Sequence, residues 1–349
     1  DQVVYVPMRD TSEEGLNRVN GIEYVYSYVL RIWMKIFFFA KIKKMSKDIF
    51  SKVNLNKIDL IHTHFLFTDG GTAYILKKKY GKKYITTIRN TDVNFYFKYF
   101  LHARNFGLKV MLNSEAIVFV SYAYRDYVFK TYVPTKLRED LLKKTYVVPN
   151  GISAFWHNNK LEVSKLRDYV VNFIFVGELS KNKNVHKVIK ILKELNKTVK
   201  CKLSIIGNSG DYTNQILELA DKNNNFVTYL GEIRDRNILL THLRNSSIYI
   251  MPSKHETFGL VYIEAMTQGI PCIYSKGQGI DGYFEEGEVG FPIDPNDIQD
   301  SNLRIMKILD NYDDISRRCL SVVAQFNWPQ IVDRYIDIYT KTINNKLYE

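Results

Sequence analysis

The stretch Tyr249-Ile-Met-Pro-Ser-Lys-His-Glu-Thr-Phe-Gly-Leu-Val-Tyr-Ile-Glu-Ala-Met-Thr-Gln-Gly-Ile-Pro-Cys-Ile-Tyr274 decides how the chain is read, because it sets a strand, a turn, a helix and a second strand around two carboxylates. Ser247 to Met251 is a short apolar, β-branched run that Pro252-Ser253 breaks, and Leu260 to Gln268 has helical character until Gly269 and Pro271 stop it. Glu256 therefore falls in the turn and Glu264 in the helix. At about 1.5 Å of rise per residue the two carboxylates lie roughly 10 Å apart. Between them, the N–H groups near Phe258, Gly259 and Leu260 lack partners within the helix and stand at the positive end of its dipole, a setting that suits a diphosphate. Gly259 lets such a ligand approach the main chain closely.

Taken alone, two glutamates on a strand-turn-helix unit also fit a plain surface, since glutamate is a good helix former. The surrounding residues narrow the choice. Paired glutamates separated by seven residues inside HETFGLVYIEAMTQGIPCI resemble the donor-site signature of the family-four retaining glycosyltransferases. The resemblance implies the GT-B fold, an α/β architecture of two Rossmann-like domains facing across a cleft. It also implies that Glu264 holds the ribose hydroxyls of a nucleotide-sugar and that Glu256 contacts the transferred sugar. The main chain from Tyr229 to Arg234, Ile233 included, would carry the base.

The chain has 349 residues, enough for two domains with a core each, and its 46% hydrophobic and 25% charged residues describe a globular protein. A net charge of +12, from 49 basic against 37 acidic residues, favours anionic partners such as nucleotide diphosphates, acidic lipid surfaces or nucleic acid. No nucleic-acid motif or interleaved basic cluster supports the last of these. Cys201, Cys272 and Cys319 have no metal-like spacing and read as buried free thiols in a reducing, cytoplasmic setting.

Taken in order, Val3 to Met8 reads as a strand, ahead of which the resembled family places a further strand and a glycine-rich loop. Gly21 to Phe50 is apolar and aromatic at near-helical spacing, with Arg31, Lys35, Lys41, Lys43 and Lys44 interspersed, and is too charged to span a bilayer. It reads as a helix packed on its sheet with lysines reaching into water, a reading compatible with contact with an anionic membrane surface. Asp59 to His64, Tyr84 to Asp92, Ala116 to Ser121 and Tyr146 to Ile152 are further strand segments with helices between them, the pattern of a doubly wound parallel sheet. The glycine pair Gly70-Gly71 reads as a turn forming the cleft, and His64 as a satisfied core histidine.

Val148-Pro-Asn-Gly-Ile152 resembles the segment closing the amino-terminal domain of that family, with Asn150 and Gly151 as hinge, and the polar run from Trp156 through Asn158 and Asn159 to Ser164 reads as a linker. The expected domains are 1–152 for the acceptor and 153–326 for the donor. A closing helix, 327–349, would complete the first, with Pro329 in its first turn and Trp328 as a packing anchor. In the second domain Asn172 to Val176, Cys201 to Ile206 and Phe226 to Leu230 each run into glycine, at Gly177, Gly207 and Gly231, and the helix Val185 to Leu195 follows the first turn. Such turns lie at the carboxyl edge of a parallel sheet, where open α/β folds bind ligands.

A departing diphosphate needs positive charge beside it. The resembled motif supplies an arginine after the domain-opening glycine and a lysine five positions later. Lys183 matches the lysine, whereas Glu178 stands at the arginine position, so Lys181, Lys276 or Arg234 would have to supply the missing charge. On the acceptor side the family carries a histidine and an aspartate on the turn that here reads Thr87-Ile-Arg-Asn-Thr-Asp92. Asp92 matches, and Arg89 occupies the histidine position, as a structural ion pair or as a contact to an anionic acceptor. Asp59, Asp92 and Asp281 are isolated, so no metal ligand is assigned and no cofactor beyond the nucleotide-sugar co-substrate is expected.

The reading is a retaining, metal-independent hexosyltransferase that moves sugar from a nucleoside-diphosphate donor to a saccharide or lipid-linked acceptor. It would build bacterial surface polysaccharide or glycoconjugate in the cytoplasm or at the inner face of the cell membrane. Catalytic candidates are Glu256, Lys183, Asp92 and Arg89. Donor-binding candidates are Glu264, Gly177, Lys183, Gly207, Ile233, Phe258, Gly259 and Leu260. A sugar-nucleotide 2-epimerase of the same fold and a non-catalytic basic nucleic-acid-binding protein are the alternatives.

Overall fold

The computed structural model describes residues 1–10, 18–35, 37–163 and 169–344, except the side chain of Lys35. Ser164, the expected end of the linker, and 345–349 of the expected closing helix lie outside these. The chain divides into two compact units: Asp1–Phe119, Val128–Tyr146 and Tyr335–Glu349 form the first, Val120–Tyr127 and Val147–Arg334 the second.

In the first unit, β1 (Val3–Pro7) pairs in parallel with β2 (Glu23–Ser27) in a two-stranded sheet. Strand β2 corrects the reading of Gly21 to Phe50 as one helix. Tyr24-Val25-Tyr26 is aromatic and β-branched, fits a pleated surface and pairs residue for residue with β1. The helix begins only at Phe38 and runs Phe38–Lys52. Its Asp48 accepts the hydroxyls of Tyr5 at 2.7 Å and Ser27 at 2.5 Å, which ties it to both strands. A second, parallel sheet has the order β3 (Leu60–Thr63), β4 (Lys83–Ile88), β5 (Ala116–Phe119) and β6 (Thr145–Val147). Gly70 and Gly71 are not a cleft turn. They sit in the first turns of the helix Asp69–Tyr80, where a Cβ on Gly71 would stand 2.9 Å from the Phe106 ring, so their lack of side chain is a packing requirement.

The second unit holds one six-stranded parallel sheet in the order β12-β11-β10-β7-β8-β9. Its strands are β7 (Val171–Val176), β8 (Cys201–Ile206), β9 (Val227–Gly231), β10 (Ile248–Met251), β11 (Cys272–Ser275) and β12 (Gly290–Ile293). The central strands are near-continuous apolar runs because helices cover both faces of such a sheet. Phe173, Phe175, Ile250 and Ile273 are fully buried, as are the free thiols of Cys272 and Cys319. The helix Val185–Leu195 buries Val188, Ile191 and Leu195 on one stripe.

The closing helix is Trp328–Ile343, whose residues belong to the second unit up to Arg334 and to the first from Tyr335. Asn327 caps it, its side-chain oxygen accepting the Gln330 N–H at 2.9 Å. Trp328 is half exposed rather than a sunken anchor. Its ring packs so close to Gly151 that a Cβ there would stand 3.0 Å away.

Candidate active site

The carboxyl ends of β7, β8 and β9 are drawn together by main chain. Gly177 donates its N–H to Ile206 at 3.0 Å, and Gly207 donates to Gly231 at 2.8 Å. A Cβ on Gly207 would stand 1.9 Å from the Gly177 carbonyl oxygen, and its φ of +150° is one that L side chains rarely adopt. Only glycine allows the two turns to touch there.

Beside this edge the segment Lys181 to Asn184 is clasped to the turn after β10. The Asn182 amide donates to the His255 carbonyl at 2.9 Å and accepts the His255 N–H at 3.0 Å. Lys254 N–H donates to the Asn182 carbonyl at 2.7 Å, and the Asn184 amide donates to the Pro252 carbonyl at 2.8 Å. Asn184 takes φ +58°, a left-handed conformation that asparagine tolerates better than most residues. The clasp brings the Lys183 ammonium to 2.6 Å from Glu256 Oε2, with side chains only 19% and 15% exposed. Glu256 Oε1 accepts the Thr257 N–H at 3.1 Å. The Glu256 main chain donates to Gln278 Oε1 at 3.1 Å and accepts from Gly279 at 2.7 Å, so the carboxylate is aimed by its own backbone.

This ion pair lines a cavity of about 340 Å³ together with Gly177, Glu178 and Asn150. Phe258, Gly259, Leu260 and Val261, where the helix Leu260–Met266 begins, also line it. Gly259 has φ +83°, and a Cβ there would stand 2.4 Å from the ring of Tyr262, which is buried against Tyr249. The Phe258 side chain is buried against Phe326. One cation and a run of backbone amides beside a glycine edge can neutralise and cradle a phosphate group.

Glu264 lies on the same helix and does not line this cavity. Burial pushes its carboxyl up to about 6, against a hydrogen bond donated by Trp156 and the charge of Arg236, both of which pull it down. Gly207 and Ile233 also stand outside the cavity lining. None of the three cations considered for the missing charge lines it. Arg234 is exposed and paired with Glu232 at 2.8 Å, and Lys181 and Lys276 are exposed. Glu178, at the arginine position of the resembled motif, does line it. Asn150, read as hinge, and Asn182 and Gln278, which the sequence reading passed over, belong to the site. The available signal was the pair of asparagines bracketing Lys183, each able to bind a facing main chain as Asn does in turns.

In the first unit, Asp92 is fully buried and its oxygens accept the main-chain N–H groups of Leu66 (3.1 Å), Phe67 (3.2 Å) and Arg89 (3.0 Å). Burial pushes its carboxyl up to about 7, while those three amides pull it down. An aspartate held this way ties two loops together through their main chain. Arg89 is half-buried and its Nε has no hydrogen-bond partner among the described residues, so the ion-pair reading is not what the side chain shows. His64 is exposed and not a core histidine, because β3 ends at Thr63. The satisfied histidine is His62, bonded to Tyr339 at 2.7 Å and Thr87 at 2.9 Å.

Residues 159–321 match the family model described as Glycosyl transferases group 1, and residues 1–154 match Glycosyltransferase Family 4. N-acetyl-alpha-D-glucosaminyl L-malate synthase of Bacillus anthracis is 26% identical over 81% of this chain and 74% of its own length. Among solved structures, sucrose-phosphate synthase from Thermosynechococcus elongatus superposes with a TM-score of 0.70 at 19% identity, covering 98% of this chain and 89% of the other. Anabaena Alr3699/HepE in complex with UDP gives 0.68 at 15% identity, covering 92% and 86%. The structural likenesses establish a GT-B fold.

Proposed function

Because the chain belongs to the group 1 glycosyl transferases, we propose that it takes a nucleoside-diphosphate sugar into the cavity of the second unit and transfers the sugar, with retention, to a saccharide or lipid-linked acceptor. The observation that carries this reading is the Lys183–Glu256 pair set against the amides from Phe258 to Val261. Lys183 would neutralise the diphosphate as the glycosidic bond breaks, and Glu256 would hold the transferred sugar. Charge from Lys183 and the main chain is the basis for proposing that no metal ion is required. Glu264 would receive the ribose hydroxyls. That the similar HepE structure holds UDP supports a nucleotide donor. The work proposed is surface polysaccharide or glycoconjugate synthesis in the cytoplasm or at the inner face of a bacterial membrane.

A thermal-shift panel of uridine, guanosine and adenosine diphosphates and their sugars, with and without chelator, tests it, because a ligand of the folded state raises stability by mass action. Glu264→Ala should lose the shift. Glu256→Ala should keep it and lose turnover. Parent-like binding and turnover in both variants would remove the assignment. Consumption of donor with no acceptor present would point to an epimerase, and an inverted anomeric configuration in the product would remove retention.

A further inference from the structure

At the carboxyl ends of β3 and β4, within the first unit, stands a cation that the donor chemistry leaves unused. Arg89 is the first residue after β4 and His64 the first after β3, so both lie at the edge where open α/β sheets bind ligands. Side chains two apart along a strand share a face. His62 and His64 do so with ring centroids 4.6 Å apart, and Thr87 precedes Arg89 by the same step. His62 is bonded through both ring nitrogens, to Tyr339 at 2.7 Å and Thr87 at 2.9 Å, and Tyr335 bonds Thr87 as well. Both tyrosines belong to the first unit.

This network offers Arg89 no counter-charge. Burial first, and then the charges of His64 and Arg89, push the His62 imidazole down to about 3, so that ring is neutral. Partial burial and then Arg89 lower His64 too, and no carboxylate is among the charges acting on His62, His64 or Tyr335. The Asp92 carboxylate, which accepts the Arg89 main-chain N–H, is also engaged by Leu66 and Phe67. Among the described residues no ion pair engages the guanidinium, and its buried Nε has no hydrogen-bond partner. A charge drawn partly out of water and left unpaired costs stability. The planar fork of an arginine fits a carboxylate or a phosphate, and an anion arriving with the substrate supplies the partner that the fold withholds.

We propose that Arg89 determines acceptor specificity: its guanidinium seats a carboxylate or phosphate carried by the acceptor, which is therefore an acidic saccharide or a sugar phosphate and not a neutral sugar. The inference rests on the transferase reading and adds to it the chemical class of the acceptor.

Isothermal titration of the full chain with methyl β-D-glucuronide, glucose 6-phosphate and the neutral methyl β-D-glucoside tests it, with thermal shifts by nucleoside diphosphates measured alongside. At least one of the two acids should bind, more weakly as salt rises, and the neutral glucoside should not. Which acid binds tells carboxylate from phosphate. Arg89→Gln should weaken its binding about 10- to 150-fold, the usual loss for a hydrogen bond to a charged group. Arg89→Lys, which keeps the charge without the fork, should recover part of that loss. Arg89→Gln should also keep the parent's nucleotide shift and unfold at no lower a temperature, since it removes an unpaired charge. Binding of neither acid, equal binding of glucuronide and glucoside, parent-like binding by Arg89→Gln, or a lower Tm for that variant would each overturn the inference, and a nucleotide shift that persists would leave the donor reading standing. Loss of the nucleotide shift in Arg89→Gln would overturn it by assigning the guanidinium to the donor's diphosphate. A parent that no nucleotide shifts would remove the transferase reading and the acceptor assignment with it.

Discussion

Replacing Glu264 by glutamine should make the protein more stable while weakening its hold on a nucleotide. Burial pushes this carboxyl from 4.5 to about 6, even with Trp156 donating to it and Arg236 nearby. A folded-state value above the unfolded one means that the folded chain binds more protons between those two values. Stability contributed by the group is therefore full at low pH and is lost as pH rises through that window. The loss above pH 6 amounts to about 2 kcal/mol. Glutamine keeps the side-chain length and an oxygen for the Trp156 N–H, and carries no charge to desolvate. For a domain of 150–250 residues, this gain corresponds to a rise in Tm of about 6 °C. At about pH 5 less than half of it remains, since the parent carboxyl is then mostly protonated. Thermal unfolding of parent and variant at about pH 5 and about pH 8 reads both numbers. The same variant should bind a nucleoside diphosphate about tenfold more weakly, because an ionised acceptor makes the stronger hydrogen bond to a ribose hydroxyl. A stability gain that ignores pH, or a loss of stability at pH 8, would refute the claim that a costly buried charge is kept at this position.

Lys183→Ala should lower kcat by about 10²- to 10³-fold, the usual cost of removing one charge-stabilising donor; turnover within a few fold of the parent would place leaving-group stabilisation elsewhere. Gly207→Ala should destabilise the second unit by more than about 3 kcal/mol in urea unfolding, since its Cβ would stand 1.9 Å from the Gly177 carbonyl. Asp92→Asn should cost about 1–3 kcal/mol, because the amide group turns a donor toward main-chain N–H groups that now share a carboxylate. Its nucleotide-induced thermal shift should match the parent's; a lost shift would give Asp92 a part in donor binding.

The second unit was legible because its information is local. Each strand from β7 to β10 is an apolar run ended by glycine or proline, and the Glu256 and Glu264 motif sits at one of those ends, so period and punctuation place the site without any tertiary knowledge. What stayed hidden depends on contacts far apart in sequence. Nothing near Asp92 announces that Leu66 and Phe67 will occupy its oxygens, and nothing near Glu178 tells that Lys181, Lys276 and Arg234 will all stand outside the cavity lining. The misreading of Gly21 to Phe50 has a local cause of a different kind. Across Gly21 to Phe50, aromatic residues are dense enough to fit helical and strand periods alike, and only the partner strand decides: Tyr24, Val25 and Tyr26 find Val4, Tyr5 and Val6 alongside, and extended pairing wins. The same aromatic density then leaves Ile32, Trp33 and Phe37 exposed. A segment whose apolar residues outnumber the core positions available to it must either aggregate or be covered.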